Sequence, residues 1–161
     1  MIAYIAIGSN LGDRIANVKK AVLRAADEVK ATLVFMSSFY ETEPWGIKEQ
    51  PAFVNAVMGV ETELPPAALL AHLKSVEAGM GRQETERWGP RVIDLDIIFY
   101  GGLVMDEKGL KIPHPAAHER AFVMVPLAEI APDFIHPVLK KRVADLLRGL
   151  DDNKKVIRLN I

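Results

Sequence analysis

Two aspartates, Asp94 and Asp96, stand one residue apart inside the apolar run Val92-Ile-Asp-Leu-Asp-Ile-Ile-Phe99. Burying charge in such a run is costly unless something compensates for it. If the run is a strand, side chains alternate, so the two carboxylates share one face while Ile93, Leu95, Ile97 and Phe99 share the other. Bare same-face carboxylates repel, but a hard divalent cation such as Mg2+ binds through one or two carboxylates plus water and substrate phosphates. Arg82, Arg87 and Arg91 flank the pair. Guanidinium forks match phosphate oxygens two at a time. His114 and Arg120, later in the chain, could close such a site from the far side. Paired carboxylates among arginines point to a polyphosphate bound through Mg2+. The blander alternative is an acidic, solvated strand face. Trp88, within Arg87-Trp-Gly-Pro-Arg91, either anchors its loop in the core or excludes water as part of a lid.

A second group suggests what else the site takes. Phe53 and Phe122 could sandwich a planar heterocycle whose polar edge Asn55 reads. His114 and His118 are separated by Pro115 with no third nitrogen or sulfur ligand nearby, so a zinc site is not expected. No Walker-type Gly-x-x-x-x-Gly-Lys-Ser/Thr stretch is present, which excludes a P-loop enzyme. Gly8-Ser-Asn-Leu-Gly12 does not satisfy a dinucleotide fingerprint either. It reads as a strand-to-helix turn in which Asn10 or Asp13 caps the helix.

The elements that must position these residues follow from periodicity. Residues 2–8 read as a strand, and Ile15, Val18, Val22, Ala25 and Val29 recur at helical spacing. Residues 33–40 and 53–61 read as two strands, separated by a long Pro- and Gly-bearing loop of the kind that often carries function. Pro65 and Pro66 suit the first turn of a helix running to about Gly79, with Leu69, Leu70, Leu73 and Val76 on one stripe. The Asp94/Asp96 strand completes β-α-β-β-α-β, an α+β, ferredoxin-like plan with both helices on one face of an antiparallel sheet. The other face is then open. Val54, Ala56, Met58 and Val60 should face the helices, so Phe53, Asn55, Asp94 and Asp96 should converge on the open face. A C-terminal extension follows: a hairpin over 103–112, helices near 122–130 and 143–149, and a strand over 156–159.

A chain of 161 residues, half of them hydrophobic, fits one domain over 1–161. Twenty basic against twenty-one acidic residues give a formal charge of −1, so no global field favours nucleic acid or an anionic membrane. The absence of cysteine excludes thiol chemistry and suits a reducing cytosol. The apolar stretch Met1–Gly8 is too short for a signal sequence, and no run reaches the length of a membrane span. A cytoplasmic protein is expected.

Several segments taken together resemble the 6-hydroxymethyl-7,8-dihydropterin pyrophosphokinase family. They are Tyr4-Ile-Ala-Ile-Gly-Ser-Asn10, Ser37-Ser-Phe-Tyr-Glu-Thr42, Gln50-Pro-Ala-Phe-Val-Asn55, Arg87-Trp-Gly-Pro-Arg-Val-Ile-Asp-Leu-Asp96, Ile112-Pro-His-Pro115, Arg120-Ala-Phe122 and Pro126-Leu127. The resemblance implies transfer of pyrophosphate from ATP to the pterin hydroxymethyl group by a monomeric enzyme. It implies two Mg2+ ions on Asp94 and Asp96, with Arg82 and Arg91 also catalytic. It places the pterin against Thr42, Glu43, Pro44, Trp45, Phe53, Asn55 and Phe122. The nucleotide falls to Lys74, Glu77, Arg82, Trp88, Arg91, Ile97, Lys111, His114 and Arg120. Phe53 stands where a tyrosine is common, and the loop before Arg87 carries Glu84 where a basic residue can occur. The rival readings are a Mg2+-dependent phosphohydrolase using the same carboxylates and a non-catalytic ligand-binding module of the same fold.

Overall fold

The computed structural model describes residues 1–28, 31–83 and 88–161. Val29, Glu84 and Arg87, singled out above, lie outside the described residues. The elements run β1 (Ile2–Ser9), α1 (Arg14–Glu28), β2 (Thr32–Met36), β3 (Tyr40–Thr42), β4 (Phe53–Glu61), α2 (Pro66–Gly79) and β5 (Asp94–Tyr100). The hairpin β6 (Met105–Glu107) and β7 (Leu110–Ile112), a short 3-10 turn (Ala117–Glu119), α3 (Ala121–Ile130), α4 (Val143–Arg148) and β8 (Val156–Arg158) follow. The main sheet has the order β5-β1-β4-β3-β8, with β2 also paired to β4, and every pairing is antiparallel.

β1 is central and apolar on both faces, so it suits a place between two strands. Ala3, Ile5 and Ile7 join Val54, Ala56, Met58 and Val60 beneath α1 and α2, which contribute Val18, Ala21, Val22, Leu69, Leu73 and Val76. Asp13 caps α1 through a bond from the Ala16 amide (3.1 Å), and Pro66 opens α2 where a missing N–H costs nothing. Asn10 does not cap the helix; its side chain is engaged elsewhere, as described below.

Three expectations need correction. The strand expected over 33–40 is broken into β2 and β3 because Ser37 interrupts the ladder. Its backbone N–H reaches the Val57 carbonyl (3.0 Å) while its Oγ accepts from the Val57 N–H (2.9 Å), so a side chain replaces a main-chain carbonyl. Phe99 does not share a face with Leu95 and Ile97. Pairing with β1 steps from Ile5↔Ile97 to Tyr4↔Phe99, and the extra residue, Ile98, reverses the alternation. Phe99 thus packs against Phe134, with ring centroids 4.5 Å apart, on the opposite face. Nor is that second face open. α3 is apolar nearly all round and must be buried, and it docks there with α4 over Tyr4, Val57, Ile98 and Phe99. The end of the sheet carrying Asn55, Asp94 and Asp96 is left open to a cleft.

His136 is sealed under this second layer, edge-on to Phe99 and to His118, with Nδ1 accepting from the amides of Val138 (3.2 Å) and Leu139 (3.0 Å). Burial, and then the nearby His118, lower its pKa, so folding favours the neutral ring. Its contribution is present above the ordinary histidine value and is lost as pH falls through and below it. Thermal unfolding should therefore show wild type losing its advantage over His136→Asn between pH 7 and pH 5. A constant gap would remove His136 as an acid-sensitive point.

Candidate active site

Register assembles the site. Asn55 on β4, Gly8 on β1 and Asp94 on β5 lie side by side across three strands, and Val57, Ala6 and Asp96 form the next row. Cross-strand partners point to one face, so Asn55, Asp94 and Asp96 converge as expected. On the other side of β4, Tyr40 faces Asn55 and Thr42 faces Phe53. Residues from the 43–52 loop and the start of α3 wall the resulting cleft.

One end of the cleft is aromatic. Phe53, Trp45 and Phe122 line it with Asn55, Thr42 and Glu43, whereas Pro44 does not reach it. Thr42 Oγ1 donates to Asn55 Oδ1 (2.5 Å), and Asn55 Nδ2 leans toward the Ile7 carbonyl (3.4 Å), which fixes the orientation of the amide. Arg120 lies over the rings of Trp45 (5.5 Å) and Phe122 (5.9 Å), and its charge also bears on His114.

The other end is charged. Asp94 accepts from Arg82 (3.1 Å) through one oxygen and from Arg91 (3.2 Å) through the other. Arg82 is also bound to Glu77, whose carboxylate is buried at the end of α2 and further engaged by Lys74 (3.1 Å) and the Leu95 amide (3.3 Å). Glu77 is therefore a support for Arg82 and Lys74 and does not line either cleft. Asp96 forms no ion pair among the described residues. Burial, and then the Asp94 carboxylate, push its pKa up to about 7, with Lys74 opposing. His114 is driven down to about 4 by burial and Arg120. Its Nδ1 accepts from the Ala116 amide (3.1 Å), which leaves the Nε2 proton for a ligand.

Lys74, Ile97, Lys111 and His114 line a second cleft between α2 and the β6–β7 hairpin, and Asp96 and His114 belong to both clefts. His118 lies edge-on to His136, with ring centroids 5.8 Å apart, and lines neither cleft. Trp88 is a rim residue of the first cleft and not a core anchor. Gly8 went unnoticed as a site residue. A Cβ there would lie 2.7 Å from Asn55 Nδ2, so the floor of the cleft requires glycine. The signal was available: Ala6 and Gly8 are the small residues on the face of β1 that meets Asp96 and Asp94.

Among the described residues no cluster of three acidic or histidine groups forms a metal cage. Two crowded carboxylates opening on a cleft instead fit a Mg2+ ion that keeps water and phosphate oxygens as its remaining ligands.

The model of one protein family, 7,8-dihydro-6-hydroxymethylpterin-pyrophosphokinase (HPPK), matches residues 4–132. The chain belongs to that family. The 2-amino-4-hydroxy-6-hydroxymethyldihydropteridine pyrophosphokinase of Haemophilus influenzae is 43% identical over 159 residues, covering 98% of both chains. The folic acid synthesis protein of Dictyostelium discoideum is 47% identical over 138 residues, which are 86% of this chain and 21% of that protein. The fold resembles the crystal structure of Plasmodium falciparum HPPK-DHPS, with a TM-score of 0.73 at 15% identity, over 92% of this chain and 44% of the other. The chain thus spans a fraction of the longer relatives and nearly all of the Haemophilus one.

Proposed function

We propose that this chain transfers the pyrophosphoryl group of ATP to the hydroxymethyl oxygen of 6-hydroxymethyl-7,8-dihydropterin, forming the pterin diphosphate and AMP in folate biosynthesis. The observation that carries this is the single cleft with an aromatic slot and a fixed amide at one end and the Asp94/Asp96 pair among arginines at the other. A new bond forms between the pterin oxygen and the β-phosphorus, the bond from that phosphorus to the oxygen retained by AMP breaks, and the hydroxyl proton passes to water. Phe53 and Phe122 hold the pterin ring, Asn55 reads its edge, and Thr42, Glu43 and Trp45 close the slot. Asp94 and Asp96 would hold two Mg2+ ions, and the chemistry these would supply is neutralisation of phosphate charge. Arg82, Arg91, His114 and Arg120 donate to phosphate oxygens, while Lys74, Ile97 and Lys111 form the nucleotide cleft. Catalysis rests on positioning and preorganised charge without a covalent intermediate.

The finer fold assignment belongs to the same proposal: one domain over 1–161, with β1, α1, β2–β4, α2 and β5 following the ferredoxin-like plan. We also infer a monomer, working in the cytoplasm without nucleic acid or membrane; no helix among the described residues is long and apolar enough to span a bilayer. A phosphohydrolase or a binding module would leave the joint slot and arginine pair unexplained.

Incubating the protein with ATP, Mg2+ and the dihydropterin should give AMP and pterin diphosphate one for one, separable by chromatography. ADP or free phosphate as the product would reject the reading. Gly8→Ala should force the Asn55 amide aside and weaken pterin binding by about 10-fold or more, the usual consequence of losing a buried hydrogen bond. Calorimetric titration showing unchanged affinity would exclude Asn55 as the edge reader.

A further inference from the structure

Asn10 is buried at the end of β1, and its amide joins two segments distant in sequence. Its Oδ1 accepts from the Arg91 amide (2.8 Å), and its own N–H donates to the Arg91 carbonyl (3.1 Å). Its Nδ2 donates to Gln50 Oε1 (2.9 Å) and to the Pro51 carbonyl (3.0 Å). Gln50 continues the connection, donating through Nε2 to the carbonyls of Trp88 and Ile47, both at 2.8 Å. The Trp88 ring also lies against Gly46, where an added Cβ would come within 2.7 Å of it. Trp88 itself has φ +61°, a left-handed backbone rarely adopted by bulky residues unless its surroundings impose it.

The loop that carries Trp45 and the loop that carries Arg91 are therefore tied by side-chain amides at both ends. We propose that Asn10 and Gln50 are positioning residues that couple the two substrates, so that filling the aromatic slot fixes Trp88 and Arg91 on the phosphate side. This rests on the function proposed above. Neither residue lines the cleft, so each acts through the loops it joins. Coupling of this kind is reciprocal: bound nucleotide must tighten pterin binding by the factor that bound pterin tightens nucleotide binding.

The test uses the whole chain with the dihydropterin and α,β-methylene-ATP. Pterin affinity is measured by calorimetry with and without the nucleotide, for wild type, Gln50→Glu and Gln50→Leu. Gln50→Glu keeps the acceptor for Asn10 and loses both donated bonds; Gln50→Leu loses all three. Wild type should show tightening of about 5-fold or more. In both variants that factor should collapse toward unity while the affinity for pterin alone and the thermal unfolding midpoint stay near wild type. An intact factor in the variants, or none in wild type, overturns the coupling. Equal loss of pterin affinity with and without nucleotide assigns Gln50 a purely structural role and also overturns it. If wild type forms no AMP and pterin diphosphate in the turnover assay, the proposed function itself fails, independently of the coupling.

Discussion

Asp96→Asn leaves a protein that folds and turns over at least about a thousand-fold more slowly than wild type, the equivalent of about 4 kcal/mol of lost stabilisation. The carboxylate is buried beside Asp94 and makes no direct ion pair among the described residues, with Lys74 only partly offsetting the burial and the Asp94 charge, so in the free protein it is a source of repulsion. Removing its charge should raise the unfolding temperature in chelator at pH 8 even as activity disappears. Wild type should gain thermal stability on addition of Mg2+, and the variant should gain much less. Two readouts thus move in opposite directions. Near-normal turnover at saturating Mg2+, or a Mg2+ response equal to that of wild type, would end the assignment of Asp96 as a ligand.

Arg91→Ala should lower kcat by about 100-fold or more while pterin affinity in the absence of nucleotide changes little. Arg91 is the more informative of the two arginines that meet Asp94. Losing Arg82 also strips a partner from buried Glu77, which mixes a stability effect into the rate. Among the described residues the Arg91 side chain donates to Asp94 and to the Gly89 carbonyl (3.2 Å), and it does not touch Glu77. Arg91→Lys should recover only part of the rate, because an ammonium does not reproduce a planar fork on phosphate oxygens. A fully active Arg91→Lys variant would mean that charge alone suffices, and an unaffected Arg91→Ala would leave only its backbone bonds to Asn10 as its role.

What the sequence made legible was the pattern carried by alternation. The parity of β4 and β5 placed Phe53, Asn55, Asp94 and Asp96 on one face, and register then brought them together. Alternation fails where a residue is inserted, and neither the bulge at Ile98 nor the Ser37 break has a strong local signature. Phe99 and the 33–40 strand were misjudged for that reason. The covered second face was hidden differently: α3 was visible as an apolar segment, but where it docks depends on long-range packing. Glu77 illustrates the limit for charge. Its type and place near the site suggested ligand contact, while its burial between Lys74, Arg82 and the Leu95 amide makes it a support. Asn10 and Gln50 look like ordinary loop polar residues until their partners, distant in the sequence, are seen.

The row Asn55–Gly8–Asp94 also bears on how the protein is made. β1 is synthesised first, yet both of its neighbours come from much later in the chain, and a growing chain lengthens by only about 5–20 residues each second. Until β5 leaves the ribosome, β1 has one bare edge and neither aspartate, and until α3 follows, the slot lacks Phe122. A shorter nascent chain lacks part of the proposed site, and for the seconds in which β1 waits for β5 its bare edge is open to pairing with another strand.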